Sequence, residues 1–231
     1  MHDTAGHVER VATVPLLAGL PRPMLIEVAR DLVSRRYRSG EVIYHVGDPA
    51  DALFIVDTGV VKIGLPSESG REAFLAMCGP GDYFGELALL DGAPRPSTAQ
   101  AMEPTRALLL GRDRFRGLLD EPSVRDTLFV GMATQLRGLT AQLEALHFLD
   151  VEGRLAARLA SLVAEVGDDQ GDGSLRLHVA LSQGDLAAMV GCTRQSVNRL
   201  LGQFADDGVV RLDRDRIVVT DPVRLAVMAR R

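Results

Sequence analysis

The chain has little cysteine, almost no lysine and no long hydrophobic run, and these shortages exclude several classes of protein. Its 231 residues include two cysteines, Cys78 and Cys192, which are too few for a disulfide framework and fit a reducing cytoplasm. No hydrophobic run approaches the ~20 residues that a membrane-spanning helix needs. Residues 1–9 lack the basic-then-apolar pattern of a secretory signal. We therefore expect a cytoplasmic protein with no membrane partner.

The basic residues are nearly all arginine, because Lys62 is the one lysine among 26 basic side chains. Arginine suits recognition of phosphate and guanine, but the codon usage of a GC-rich genome explains the ratio equally well. Residues 1–150 carry 15 basic and 20 acidic groups, and residues 151–231 carry 11 of each. The net charge of −5 therefore lies in the first 150 residues. It excludes an unstructured basic nucleic-acid binder but not a local arginine patch in the neutral remainder.

Short hydrophobic runs separated by glycines follow a helical segment over residues 8–30. These runs predict strands at Val42–His45, Ala52–Val56, Val60–Leu65, Ala73–Met77 and Thr105–Leu110. Strands of this length and spacing are typical of an antiparallel sandwich or barrel. Residues 1–121 are therefore predicted to form a β domain with an N-terminal helix.

A single long helix is predicted over residues 122–149. Leucine and methionine recur along it at steps of 4, 4, 3, 4 and 3, at Leu128, Met132, Leu136, Leu139, Leu143 and Leu146. This spacing is that of a coiled-coil seam, although a helix buried within one domain can show the same stripe. The length of the helix and its narrow seam favour a homodimer that pairs through residues 122–149.

Residues 150–231 have the pattern of a winged helix-turn-helix. A helix at Val151–Val166 and a polar loop over residues 167–173 come first. Ser182 and Asp185 then give a capping signature, Gly191 is placed to end the helix that follows, and Thr193 is placed to begin the next. A hairpin over residues 209–219 supplies a wing with Arg211, Arg214 and Arg216 near its tip.

The second helix of this pair has a polar face suited to a major groove. Arginine bonds bidentately to guanine and Gln or Asn to adenine, and the first residues of a recognition helix make most base contacts. An ordinary solvated helix face fits the same pattern. The predicted DNA-binding residues are Ser182, Thr193, Arg194, Gln195, Ser196, Asn198 and Arg199.

Four segments of the chain together resemble the Crp/Fnr family of bacterial transcription regulators. Residues 39–63 and 79–101 resemble its cyclic-nucleotide-binding roll, and residues 148–162 and 181–204 resemble its DNA-binding part. The resemblance implies an α+β fold: an N-terminal cyclic-nucleotide-binding-type β-roll (a double-stranded jelly roll), a long dimerisation helix and a C-terminal winged helix-turn-helix. It also implies a homodimer that binds double-stranded DNA at a palindromic operator and works with RNA polymerase, as activator or repressor.

The resemblance further implies an effector site in the roll. The residues that match it are Gly85, Glu86, Leu87, Arg95, Ser97 and Thr140. In the family's cyclic-AMP sensors the glutamate holds the ribose hydroxyl, and the arginine with backbone amides holds the cyclic phosphate. Two departures count against cyclic AMP: Pro96, which has no N–H, follows the arginine, and Leu139 replaces a base-bonding threonine. Cyclic AMP is therefore one candidate beside another effector or none, and the alternative role of Glu86 and Arg95 is to brace their loop by pairing with each other.

The residue types in the chain count against other kinds of effector site and against catalysis. An iron–sulfur cluster needs about four cysteines, His45 in a turn is a poor haem ligand, and the five histidines are too scattered for a metal site. No catalytic motif is present, so no enzyme activity is expected. Gln195 stands where the family has glutamate, which predicts a half-site altered from the family's TGTGA element. The alternative function is a cyclic-nucleotide-sensing module that acts through protein partners without binding DNA.

Overall fold

The computed structural model describes residues 4–67, 72–177, 179–213 and 216–230. The chain divides into two compact units, one made of Met1–Pro66 and Leu75–Leu136 and the other of Ser67–Phe74 and Arg137–Arg231. Among the described residues, no helix combines the length and the apolar character needed to cross a membrane.

The first unit is built from two antiparallel four-stranded sheets and several helices. Its helices are α1 (Thr4–Thr13), α2 (Arg22–Asp31), α3 (Leu87–Asp91), α4 (Arg112–Leu118) and the start of α5 (Pro122–Phe148). Its strands are β1 (Val33–Tyr37), β2 (Val42–Tyr44), β3 (Ala52–Thr58), β4 (Val61–Pro66), β5 (Glu72–Cys78, which belongs to this unit from Leu75 on), β6 (Tyr83–Phe84), β7 (Thr98–Ala101) and β8 (Thr105–Gly111). The sheet orders are β1-β8-β3-β6 and β2-β7-β4-β5, which is the predicted two-layered roll.

Strand β3 lies inside the first sheet and is buried on both faces. Since side chains alternate along a strand, Leu53 and Ile55 pack in one cluster with the helices, whereas Phe54 and Val56 pack in another between the two sheets. This two-sided burial is the reason that the run Ala52–Val56 is hydrophobic throughout.

Helix α5 is buried only near its start. Val124 and Leu128 pack into the core cluster of the first unit. Further along, the exposed fractions of the four seam leucines are 66% for Leu136, 38% for Leu139, 56% for Leu143 and 51% for Leu146. A single chain therefore leaves most of the hydrophobic stripe uncovered.

The second unit holds the C-terminal part of α5 and the helix-turn-helix. Its elements are α6 (Val151–Val166), β9 (Gly167–Asp169), β10 (Leu175–Leu177), α7 (Gln183–Val190), α8 (Arg194–Asp206), β11 (Val210–Asp213), β12 (Arg216–Val219) and α9 (Pro222–Met228). The four strands form an antiparallel sheet in the order β11-β12-β10-β9.

The sequence located five roll strands to within two residues at each end, and the long helix to within one, but it left other elements out. Strand β6 has two residues, β7 is the weakly apolar stretch TAQA, and β1 contains two arginines, so none has a clear hydrophobic pattern. The prediction of a loop over the whole of residues 167–173 was wrong at its start. Gly167–Asp169 form β9, because β10 pairs with it residue by residue.

Candidate effector pocket and nucleic-acid interface

A glycine turn leads from β6 into α3 and places Glu86 at the start of that helix. Gly85 has φ of +84°, in the left-handed region, and a Cβ there would lie 2.5 Å from Nη1 of Arg95. The carbonyl of Glu86 accepts hydrogen bonds from the N–H groups of Leu89 and Leu90, at 2.9 and 3.0 Å. Glycine is needed at this position both for its backbone angle and for the close approach of the arginine.

Arg95 is buried inside the roll, with 2% of the residue exposed. Its Nη1 donates to the carbonyl of Gly85 at 2.6 Å, and its Nη2 donates to the carbonyl of Ala52 at 2.8 Å. Its Nη2 lies 3.9 Å from the Asp51 carboxylate, and its guanidinium carbon lies 4.4 Å from the centre of the Tyr44 ring. Burial lowers the pKa of Arg95, and the nearby Tyr44 and Asp51 partly oppose that effect.

One donor and one acceptor of the predicted site stay available in this arrangement. Nε of Arg95 is buried and has no hydrogen-bond partner. Glu86 is 9% exposed, and burial raises the pKa of its carboxyl, against smaller lowering effects of its own backbone N–H and of Arg95. No ion pair joins these two side chains within 4 Å among the described residues. A buried donor without a partner is costly, so a ligand oxygen that reached it would be strongly favoured.

The other predicted effector residues are divided between the two units. Leu87 is the first residue of α3, and Ser97 is buried just before β7. Thr140 lies exposed on α5, in the second unit. An open groove of about 1010 Å³ in the first unit is lined by other residues, among them Arg36, Glu41 and Arg106. The structure therefore brings Arg95 into contact with Gly85 and buries Glu86, Arg95 and Ser97, with Leu87 next to Glu86 at the start of α3.

Replacing Gly85 with alanine is expected to destabilise the roll by about 2–3 kcal/mol, because backbone strain adds to the clash with Arg95. Gly81 is the matched control, since its φ is +91° and a Cβ there meets nothing within 4 Å. Gly81→Ala should therefore cost only the strain, about 1 kcal/mol. Urea unfolding of both variants measures the difference. Equal losses would show that Arg95 does not limit the space at Gly85.

Replacing Glu86 with glutamine is expected to raise the unfolding temperature near neutral pH. The pKa of Glu86 is raised in the folded state, so folding favours its protonated form, and that contribution is lost as the pH rises through the folded pKa. Below the unfolded pKa both forms are neutral, so the advantage of the variant should vanish below pH ~4. Thermal unfolding against pH tests this, with the exposed Glu9→Gln as control. A pH-independent difference would contradict it.

The first helix of the helix-turn-helix begins with a reciprocal cap. The backbone N–H of Asp185 donates to the Ser182 hydroxyl, and the backbone N–H of Ser182 donates to the Asp185 carboxylate, both at 3.1 Å. The helix ends at Gly191, whose φ of +66° is left-handed. The predicted start and stop signals are both present, and they set the tight turn that leads into α8.

Helix α8 presents a buried face to the core and a polar face to solvent. The hydroxyl of Thr193 caps it by accepting from the N–H of Ser196 at 3.1 Å. The buried side chains are Val197, Leu200, Leu201 and Phe204, and the exposed ones include Arg194, Gln195, Asn198 and Arg199. The hydroxyls of Ser182 and Thr193 therefore shape the starts of the two helices, while the longer polar side chains point away from the core.

The hairpin of β11 and β12 forms the wing. Asp213 and Arg216 pair across it, and Asp213 also lies 3.5 Å from the Arg176 guanidinium. Arg211 is exposed on β11. Arg214, the third predicted wing arginine, lies outside the described residues.

Three residues that sequence reasoning did not single out take part in these sites. Tyr44 and Asp51 contact Arg95 from segments that precede it by more than 40 residues, and no local pattern points to either. Gln183 lies inside the capping signature, where its side chain contacts α8. A signal for Gln183 existed, because it is the polar residue next to the cap at the start of the helix-turn-helix.

Two family models match the chain in the order of its two units. A cyclic nucleotide-binding domain matches residues 34–121, and a Crp-like helix-turn-helix domain matches residues 153–228. The first match includes Glu86 and Arg95, and the second includes the whole of α7 and α8.

Similar proteins match nearly the full length of this chain. A CRP-like cAMP-activated global transcriptional regulator of Mycobacterium tuberculosis (strain H37Rv) is 34% identical, covering 96% of this chain and 99% of the relative. The cyclic AMP receptor protein of Thermus thermophilus is also 34% identical, covering 93% and 96%. Among solved structures, FixK2 from Bradyrhizobium japonicum superposes with a TM-score of 0.76 at 25% identity, over 85% of this chain and 96% of that one.

Proposed function

The chain belongs to the Crp/Fnr family of DNA-binding transcription regulators, and from that membership we propose which of its residues read DNA, how two copies pair and what the roll binds. We assign effector sensing to residues 1–121, pairing of two subunits to residues 122–149 and DNA reading to residues 150–231. Its relatives are regulators of transcription rather than enzymes.

Base reading is assigned to the polar face of α8. The observation that carries this is the exposed set Arg194, Gln195, Asn198 and Arg199 on a helix whose start is capped by Thr193 and whose other face is buried. Arginines suit guanine and the amides suit adenine in the major groove. Ser182, Thr193 and Ser196 lie near the starts of the two helices, where backbone and hydroxyl groups suit contacts to phosphate.

Replacing Gln195 with glutamate is expected to shift base preference within the half-site. Glutamine both donates and accepts and prefers adenine, whereas glutamate only accepts and prefers the amino group of cytosine. The change should favour the new base by about 1–3 kcal/mol at one position and leave the others unaltered. Selection from a library of palindromic duplexes measures this. An unaltered preference would remove Gln195 from the base-reading set.

Homodimerisation is assigned to the exposed stripe of α5. The leucines at 136, 139, 143 and 146 are 38–66% exposed in one chain and recur at coiled-coil spacing. A second copy of the same stripe would cover them. Two recognition helices of such a dimer would read half-sites one DNA turn apart, about 34 Å.

Effector binding is assigned to the buried residues around Gly85, Glu86 and Arg95, and a cyclic nucleotide is the ligand class proposed. The unpartnered Nε of Arg95 is a donor for the cyclic phosphate, and the Glu86 carboxylate is an acceptor for the ribose hydroxyl. Leu87 and Ser97 would complete the phosphate side. Pro96 offers no amide to the phosphate and Leu139 offers no bond to the base, so each of these two parts of the ligand has one contact fewer than the family resemblance implies.

Control of DNA binding would then be a shift between two arrangements of the dimer. An effector that binds one arrangement more tightly than the other increases the population of that arrangement. The ratio of the two affinities limits how far the equilibrium can shift. RNA polymerase is the further partner proposed for the DNA-bound dimer. The alternative of a sensing module without DNA binding is not favoured, because residues 153–228 match a Crp-like helix-turn-helix domain.

The test of this assignment is operator binding by the full chain with and without a cyclic nucleotide. We expect selection of a two-fold palindrome, with an affinity that falls steeply with salt. We also expect tighter binding with cyclic AMP, which the name of the Mycobacterium relative gives as its activator and the name of the Thermus relative gives as its ligand. Cyclic GMP is the control for the base. Indifference to saturating cyclic AMP would refute the effector assignment alone, whereas failure to select any sequence would refute base reading by α8.

A further inference from the structure

The side chain of Gln183 connects the two helices of the helix-turn-helix. It is the first residue of α7 and follows the capping residue Ser182 directly. Its Nε2 donates to Oδ1 of Asn198 at 3.0 Å, and its Oε1 accepts from Nε of Arg194 at 3.4 Å. One amide therefore holds two of the side chains that α8 is proposed to turn toward the bases.

These contacts determine which atoms of the two side chains stay free. With Nε engaged, Arg194 keeps its two terminal Nη groups, which are the pair that can fork onto guanine O6 and N7. With a bond to Oδ1, Asn198 keeps the donors of its amide. Arg199 differs, because its Nη1 donates to Gln203 one turn further along the same helix, at 3.0 Å.

Holding the side chains in advance has a direct consequence for binding. A long exposed side chain loses rotamer freedom when it is fixed against a base, and that loss weakens association. A partner that already limits the rotamers of Arg194 in the free protein reduces the entropy that is lost on binding. Gln183 can fill this role because the reciprocal Ser182–Asp185 cap fixes its backbone.

We infer that Gln183 is a positioning residue for base reading, which orients Arg194 and Asn198 and thereby sets the base preference at the positions that they contact. This inference rests on the proposed roles of Arg194 and Asn198. It assigns Gln183 no base contact of its own, so its effect must pass through those two side chains.

Two substitutions at Gln183 separate its two bonds. Gln183→Ala removes both, and we expect operator binding about five-fold weaker, with relaxed preference at the positions read by Arg194 and Asn198. Gln183→Glu keeps an acceptor for Arg194 but loses the donor to Asn198. Its added charge weakens binding to every duplex alike, while preference should relax only at the Asn198 position.

The experiment measures affinity and base preference of the full chain on a library of half-site variants. It includes Gln183→Ala, Gln183→Glu, Arg194→Ala and the double variant of Gln183 and Arg194 to alanine. Because Gln183 acts through Arg194, the two alanine changes should be less than additive at the base that Arg194 reads. Gln170→Ala, in the loop between β9 and β10, is the matched control and should leave the preference intact. Thermal unfolding confirms that each variant is folded.

The outcomes distinguish the positioning role of Gln183 from the base-reading role proposed for Arg194. Additive losses, or a uniform loss by Gln183→Ala at all duplexes with base preference unchanged, would overturn the positioning role and leave Arg194 as a reader. If Arg194→Ala itself leaves base preference unchanged, the reading role of Arg194 falls, and the inference for Gln183 falls with it.

Discussion

Arg95→Ala should destabilise the roll strongly, lowering its free energy of unfolding by about 3 kcal/mol. The substitution removes two short hydrogen bonds and leaves the carbonyls of Gly85 and Ala52 without their donor. It also empties the space over the Tyr44 ring, since the arginine is 2% exposed. Urea unfolding measures the loss, and isothermal titration with cyclic AMP should show that effector binding disappears with it.

Arg114→Ala is the matched control for this prediction. Arg114 also makes close ion pairs, with Nη2 2.9 Å from Glu27 and Nε 3.2 Å from Asp31, but its side chain is 30% exposed. A solvent-screened pair of this kind contributes about 1 kcal/mol or less. Arg95→Lys separates charge from geometry, because a lysine ammonium cannot fork between two carbonyls as a guanidinium does. Equal losses of the free energy of unfolding for Arg95→Ala and Arg114→Ala would refute a special stabilising role for the buried Arg95.

Leu143→Glu should convert the protein to monomers and reduce affinity for a palindromic operator at least 100-fold. Leu143 is 56% exposed in one chain, so the monomer loses little packing. In a coiled-coil pair the same position faces its counterpart, and two glutamates there repel across a hydrophobic seam. The loss on DNA is large because a dimer binds its second half-site as a linked module, which is worth 10²–10⁴ in affinity. Sedimentation and operator titration measure the two effects.

Ala141→Glu tests whether dimerisation and operator affinity are lost because of the position of the glutamate or because of its charge. Residue 141 is exposed on the same helix but two residues from Leu139, on the side away from the seam. This variant should stay dimeric and keep its operator affinity. The far-ultraviolet circular dichroism of both variants should match that of the parent chain. A dimeric Leu143→Glu protein would refute pairing through this stripe.

The helix-turn-helix was readable from sequence because its signals are local. Ser182 with Asp185, Gly191 and Thr193 each act within a few residues, and the structure has all of them in the predicted places. The apolar face of α8 follows from helical spacing alone. Gln183 was not recognised, because its partners Arg194 and Asn198 lie 11 and 15 residues away, on a different helix.

The sequence predicted the strongly apolar strands of the roll but not its weak ones. Glycine turns and hydrophobic runs locate the strongly apolar strands, but β6 and β7 form only because neighbouring strands pair with them. The same limit applies to the start of the loop before β10, where pairing with Leu175 makes Asp169 a strand residue. Strand formation at such weak sites depends on the partner rather than on the segment.

The sequence by itself therefore determined the order of β domain, long helix and helix-turn-helix, because local periodicity, caps and glycine turns act between near neighbours along the chain. The family and the residues expected at the effector site came from the resemblance of four longer segments to the Crp/Fnr family. Only the tertiary structure decided that Arg95 turns inward, because its carbonyl partners at Gly85 and Ala52 lie 10 and 43 residues away. Long-range contacts of this kind depend on how the strands pack together, and no short segment of sequence specifies them.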